Sequence, residues 1–204
     1  MRVIILGAGG HAREVLSSLL RGGVEIVGFY DELKKEEKIH GFPVFSSLEK
    51  FLKNRDKVLL FPGVGSNKLR KRWYEEFGKE FDFYTHLDPA CIVGKRVTMG
   101  EGTFIAPGCI LTTDIFMGKC VVINTGSIIS HDCWIGDFVF VGPGSNLTGG
   151  VIIEEGVELG AGVTVIPGKK VGAWSVVGAG AVVIDDIPPY SVAVGVPARV
   201  IRKT

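Results

Sequence analysis

The second half of the chain repeats every six residues. A step of six from Val93 meets Met99, Ile105, Leu111, Met117, Ile123 and so on to Val183, sixteen positions that are all aliphatic or Met. The position four residues after each is small or β-branched from Val97 to Ala181, with Lys169 the single departure. A period of six suits neither an α-helix at 3.6 nor a flat strand at 2, but it does suit a short strand and a tight turn repeated around a prism. The spacing therefore predicts a parallel β-helix, three hexads to a coil of eighteen residues, with five coils between Val93 and Val183 stacked about 4.8 Å apart. The apolar residue fills the interior and the small one sits beneath it. The glycine that often follows the apolar residue is expected to give the corner its permissive backbone. Cys91 and Cys109, eighteen apart, should stack as interior packing residues.

The first 85 residues follow a different rhythm. Residues 2–6 (RVIIL) read as a buried parallel strand, Gly7-Ala8-Gly9-Gly10 as a loop, and the stretch to about Leu20 as an amphipathic helix. A second strand over 25–30 ends at Asp31, and a third over 58–61 runs into Pro62-Gly63-Val64-Gly65-Ser66-Asn67 and another helix. Glycines at a strand-to-helix turn let a phosphate approach free N–H groups at a helix start. Ligands of open parallel sheets bind beyond the carboxyl ends of the strands, so Gly9, Gly10, His11, Asp31, Gly65 and Asn67 should share one edge as a sugar-nucleotide cradle. Asp31 stands where an acid for a ribose would, which raises an NAD-dependent enzyme as a rival. The segment is too short for a six-stranded dinucleotide sheet, and a mononucleotide fits better. The fold class expected is a Rossmann-like α/β domain over residues 1–85, then a β-helix over 86–204.

Composition narrows the classes. At 46% hydrophobic and a formal charge of +1, the chain has core to bury and no broad basic field, which disfavours nucleic acid. The run Lys68, Arg70, Lys71, Arg72 reads as the solvated face of a helix. No apolar stretch reaches a membrane-spanning length, and the start MRVIILGAGGHA lacks a signal-peptide pattern, so a soluble cytoplasmic protein is expected. The four cysteines form no CxxC pair, against a zinc knuckle or redox motif.

Beyond His86 at the junction, the repeat holds a single histidine, His131. Ile129 points inward, so His131 two positions later points outward at a corner, where it serves either as a general base or as an idle surface side chain. Asp132 follows it, and Asp114, one coil beneath Asp132, competes as the partner that orients the ring. Gly149 lies one coil above His131.

The repeat, with its ending DDIPPYSVAVGVPARVIRK, resembles the left-handed hexapeptide-repeat acyltransferases over about residues 86–204. The front segment VIILGAGGHAREV narrows the likeness to the sugar O- and N-acetyltransferases of the sialic-acid and bacillosamine/perosamine type. The resemblance implies acetyl-CoA as cosubstrate, no metal, and a homotrimer with active sites between subunits. It also implies that SHDCWIG carries the catalytic His131 with Asp132, and that the glycine loop contacts a nucleotide-linked sugar. Gly149, Ala161 and Ala179 are implied to meet acetyl-CoA through backbone groups. The charges of Arg199, Arg202 and Lys203 either meet the phosphates of CoA or are simply solvated tail charges. Many relatives carry a second histidine where Phe140 stands here, so that contact to the acetyl carbonyl is missing or replaced. Three alternatives compete with this reading: a zinc carbonic anhydrase, which needs three histidine ligands; a rigid scaffold, which leaves the glycine loop unexplained; and the nicotinamide enzyme. Oxygen or nitrogen as the acylated atom, and amino sugar or sialic acid as the acceptor, stay open.

Overall fold

The computed structural model describes residues 2–33 and 36–204. At the front, β1 (Arg2–Leu6), β2 (Glu25–Tyr30), a short β3 (Lys38–Ile39), β4 (Phe42–Phe45) and β5 (Val58–Pro62) form one sheet in the order β3-β4-β2-β1-β5. β1 pairs in parallel with both β2 and β5, and β2 in parallel with β4; only β3 runs antiparallel. Val3, Ile4, Ile5 and Leu6 are all fully buried, the continuous apolar run of a central parallel strand covered on both faces. α1 (Gly10–Arg21) covers one side with Ala12, Val15, Leu16 and Leu19, and α2 (Asn67–Phe77) starts under a Ser66 cap that accepts a hydrogen bond from the Leu69 N–H. The strands predicted at 2–6, 25–30 and 58–61 and both helices are present. The β3–β4 hairpin was not predicted, because two residues of strand carry no readable alternation. Its turn rests on His40 and Gly41, both with positive φ.

From His86 onward the chain winds as a three-sided prism. The first face carries strands at His86–Leu87, Phe104–Ile105, Val122–Ile123, Phe140–Val141, Glu158–Leu159 and Val176–Val177, closed by a hairpin of Ser191–Val194 with Arg199–Lys203. The second face runs from Ile92–Val93 to Val182–Val183, and the third from Val97–Met99 to Lys170–Val171. Pairing advances by one coil of eighteen, as in Ile92↔Ile110↔Ile128, until the last turn, where Val176 pairs with Val192. The interior columns, among them Ile105, Ile123, Val141, Leu159 and Val177, have no exposed surface. Each such side chain contributes about 1.5–3 kcal/mol of burial, so the columns hold the prism together. Cys109 is buried in that interior, whereas Cys91, on the first coil with no coil beneath it, is only half-buried.

The corners correct one expectation. The glycines that directly follow the inward apolar residue are not the ones with positive φ; a Cβ on Gly94 would stand 1.7 Å from the Thr112 carbonyl oxygen, and one on Gly142 2.5 Å from the Gly160 carbonyl carbon. They are glycines because the next coil passes too close. The left-handed residue comes two positions later, at Gly108, Gly126, Gly144 and their equivalents, and at six coil positions it is not glycine: Arg96, Asp114, Cys120, Asp132, Phe138 and Trp174.

The front unit lies on the first face. Phe104, Ala106 and Val122 join the core formed by Val3, Ala12, Leu16 and Phe61, with Phe104 set edge-on to Phe61 at 5.8 Å. At the foot of this contact Ser18 Oγ donates to Asp88 Oδ2 at 2.5 Å and lies 2.9 Å from His86 Nε2. Arg21 donates to the same carboxylate oxygen at 2.6 Å. The single hydroxyl proton goes to Asp88, so His86 must be the donor to Ser18, which assigns its Nε2–H tautomer. Burial pushes the His86 ring below the usual histidine range against the pull of Asp88. Burial pushes the Asp88 carboxyl up, but hydrogen bonds from Ser18, the Ala90 N–H and Arg21 outweigh it and hold the group below the usual carboxylate range.

Candidate active site

His131 stands on the corner between the second and third faces, two residues past the buried Ile129. Its side chain is 62% exposed, and its Nδ1 lies 2.8 Å from Asp132 Oδ2. With Nδ1 held by a carboxylate, Nε2 is left facing out as the free nitrogen. Asp132 reaches back because it occupies the left-handed corner position, at φ 60°. Between the two candidate partners the geometry decides for Asp132: Asp114 is gripped by both Arg96 Nε and Arg96 Nη2 and accepts from Thr113. The Arg96 hydrogen bonds hold the Asp114 carboxyl below the usual range.

Gly149 lies directly over the ring. A Cβ there would stand 2.5 Å from His131 Cε1 and 2.7 Å from Nε2, so the missing side chain is what lets the imidazole lie against the corner. The Gly150 N–H, bonded to the His131 carbonyl oxygen at 2.9 Å, locks the two coils in register.

Ala161 and Ala179 are not on this corner. Each follows an inward residue of the first face, Leu159 or Val177, by two, which places both on the corner between the first and second faces. Arg199 is on the side of His131: it donates to Asp185 Oδ2 at 3.0 Å, and Asp185 is three coils above His131 on the same corner. At about 4.8 Å per coil that is roughly 14 Å along the prism.

The glycine loops share the carboxyl edge of the front sheet as expected. The Gly7 N–H is bonded to the Tyr30 carbonyl and the Gly63 N–H to the Leu6 carbonyl, which ties the ends of β1, β2 and β5 together. Gly9 and Gly10 carry open space where a Cβ would be, apart from the tip of Arg13 at 4.0 Å from Gly10. Asp31 Oδ1 accepts from the Leu33 N–H in a local turn. His11 is packed between Phe104 and Phe140; Nδ1 meets Glu14 at 3.1 Å, and Nε2 is buried without a partner. Burial pushes its ring below the usual histidine range. Phe140 thus serves as an apolar wall for His11 on the first face. A cleft of about 670 Å³ opens above the loop, between Gly65–Lys68 on one side and Glu158, Trp174 and Tyr190 on the other.

Asn67 and Arg70 depart from expectation. The Asn67 amide donates to the Gly156 and Val157 carbonyls at 3.0 and 3.1 Å, and its Oδ1 accepts from Arg70, so its polar atoms face the prism and not the solvent edge. Arg70, read from the sequence as part of a solvated run, is fully buried against the corner between the third and first faces. Burial lowers its guanidinium to about 10, which leaves it charged at neutral pH. Its neighbours Lys71 and Arg72 do behave as surface cations, paired to Glu155 and Glu32. Among the described residues, no group of three or more His, Cys, Asp or Glu side chains is placed to hold a metal ion, and no helix is long and apolar enough to cross a membrane.

This arrangement has close counterparts. A mutant of perosamine N-acetyltransferase from Caulobacter crescentus, solved with CoA and GDP-perosamine, superposes with a TM-score of 0.92 at 33% identity, covering 98% of this chain and 97% of that one. The chain belongs to the hexapeptide-repeat sugar acetyltransferases. Other solved family members include WeeI from Acinetobacter baumannii, at 27% identity over 98% of this chain and all of that one with a TM-score of 0.91. The acetyltransferase domain of PglB from Neisseria gonorrhoeae, in complex with acetyl coenzyme A, matches at 27% identity over 98% of both chains, also at 0.91. The family model described as the PglD N-terminal domain matches residues 2–77. A curated viral protein, uncharacterized protein L142 of Acanthamoeba polyphaga mimivirus, is 25% identical over 103 residues, and the chain spans only 21% of its length. Within this family the two parts are a Rossmann-like domain and a left-handed β-helix, a hand that the spacing of the repeat by itself does not provide.

Proposed function

We propose that the protein transfers the acetyl group of acetyl-CoA to the amino group of a nucleotide-linked amino sugar, with His131 as general base. The observation that carries the reading is the exposed imidazole oriented by Asp132 under a bare Gly149, on a chain whose family includes a solved enzyme holding CoA and GDP-perosamine. His131 Nε2 takes a proton from the attacking amine as the N–C bond forms. The Gly149 N–H is the donor for the developing oxyanion, and collapse breaks the C–S bond, with the proton passing from His131 to the departing thiolate. Asp132 holds Nδ1–H and stabilises the imidazolium between the two steps.

The division of labour follows the chain: residues 1–85 hold the acceptor through Gly9, Gly10, His11, Asp31 and the Gly65 loop, and residues 86–204 hold the thioester. In a three-sided prism the corner of His131 lies opposite the first face, which carries the front unit. A protomer's own base and its own sugar edge therefore stand on opposite sides of the prism. A homotrimer resolves this by bringing the His131 corner of one subunit to the Ala161–Ala179 corner and sugar edge of the next, with CoA running up the shared groove toward Arg199. The exposed Ile92, Ile128, Phe116 and Trp134 on the second and third faces fit such contacts. We place the trimer in the cytoplasm, where acetyl-CoA is available.

Release of free thiol from acetyl-CoA, screened with nucleotide-linked amino sugars and with sialic acid, tests the reading. Turnover is expected with an amino sugar and should fall about 10²- to 10⁴-fold in His131→Ala. Full activity of that variant, or turnover with sialic acid alone, overturns it. Mixed assemblies of His131→Ala subunits with Gly9→Asp subunits should recover activity that neither shows alone; no recovery argues against a shared site.

A further inference from the structure

The five N–H groups of Arg70 meet six acceptors, one Nη2 hydrogen being shared, and none of the six is a carboxylate. Nη1 reaches the Val64 and Gly65 carbonyls at 3.2 and 2.8 Å, Nε the Cys120 carbonyl at 2.9 Å, and Nη2 the Phe138 and Val139 carbonyls at 2.8 and 3.1 Å and Asn67 Oδ1 at 3.0 Å. Cys120, Phe138 and Gly156 are eighteen residues apart and occupy the same corner on three successive coils. Arg70 contacts the first two and Asn67 the third. A fully buried cation is costly to fold around unless its donors are met, and this one is met by main-chain oxygens from both parts of the molecule. Two of those oxygens belong to the loop that lines the cleft beside α2.

We propose that Arg70, with Asn67, is a positioning pair that sets the height of the Val64–Gly65 loop along the prism, and so determines how the acceptor's nucleotide is presented. Other ties between the two parts fix different places. Lys71 with Glu155, and Tyr74 with Glu101 and Lys119, anchor the outer turns of α2, and Ser18 and Arg21 anchor the end of α1. Arg70 holds the loop itself, through two of its carbonyls. Lysine cannot replace it, because an ammonium has three donors and no planar fork to span both sets of carbonyls. The loop acts on the acceptor side only; the His131 corner lies across the prism and does not depend on it.

The proposal rests on the reading of the front part as a nucleotide-sugar cradle, and a binding assay separates the two. Calorimetry with GDP, UDP and CoA on the intact protein is compared for wild type, Arg70→Lys and Asn67→Ala. Nucleoside diphosphate affinity and acceptor kcat/KM should fall in Arg70→Lys by on the order of 10²-fold, the scale of a 1 Å misplacement. CoA affinity and the KM for acetyl-CoA should stay within about twofold. Asn67→Ala, which keeps the guanidinium, should show the same selective loss to a smaller degree, and it serves if Arg70→Lys does not fold. Parallel loss of CoA and diphosphate binding, or no change in either, overturns the positioning role. Wild-type protein that binds CoA but neither diphosphate overturns the cradle itself.

Discussion

A Cβ placed on Gly149 would stand 2.5 Å from Cε1 of His131, closer than any unstrained contact. The ring must therefore move if the glycine gains a methyl group. Gly149→Ala is expected to fold, since the glycine has ordinary φ and is only half-buried. It should lose on the order of 10²-fold in kcat/KM through displacement of the imidazole. Kinetics alongside a thermal melt checks this; an active Gly149→Ala enzyme would mean that the ring can shift without cost.

Asp132 and Asp114 differ in what they hold. A carboxylate that fixes a histidine's tautomer is worth about 10- to 100-fold in activity where it has been measured at metal sites. Asp132→Ala should fall in that range, and Asp114→Ala, whose partner is Arg96, should stay near wild type. Equal losses in the two variants would indicate that both acids act on His131.

Acid should weaken the protein where α1 meets the first coil. The folded pKa of His86 lies below its unfolded value, so the unfolded chain takes up the proton first. Stability is then intact above about pH 6.5 and falls as pH drops below it. His11, shifted the same way, adds to this loss. Asp88, also lowered, adds a further loss below about pH 3.9, as its carboxylate is protonated. Thermal midpoints measured from pH 8 to 4 should decline below 6.5, with a shallower slope in His86→Gln; a flat profile to pH 5 contradicts this.

The interior columns have no slack. Ile123→Ala removes a fully buried side chain between two stacked neighbours, Ile105 and Val141. It should cost about 2–5 kcal/mol in denaturant unfolding. The exposed Ile128→Ala, on the same coil, should cost the isolated protomer far less, and it bears on assembly through the second face. A similar loss of unfolding free energy at both positions would contradict the column account.

The winding of the prism was legible in the sequence because each hexad obeys one local rule, apolar in and small beneath, and sixteen repetitions leave no other period. The same counting placed Gly149 over His131. The front strands were legible for a similar reason: β1 is buried on both faces and reads as an unbroken apolar run. Two matters were decided only by tertiary contacts. Arg70 looks like any helix-surface cation until the helix is laid on a corner whose carbonyls point at it. The choice of Asp132 over Asp114 turned on Arg96, a coil below, claiming the latter. Local patterns repeat along the chain and can be read from it, whereas contacts between a helix and a distant coil depend on how two separately formed surfaces meet.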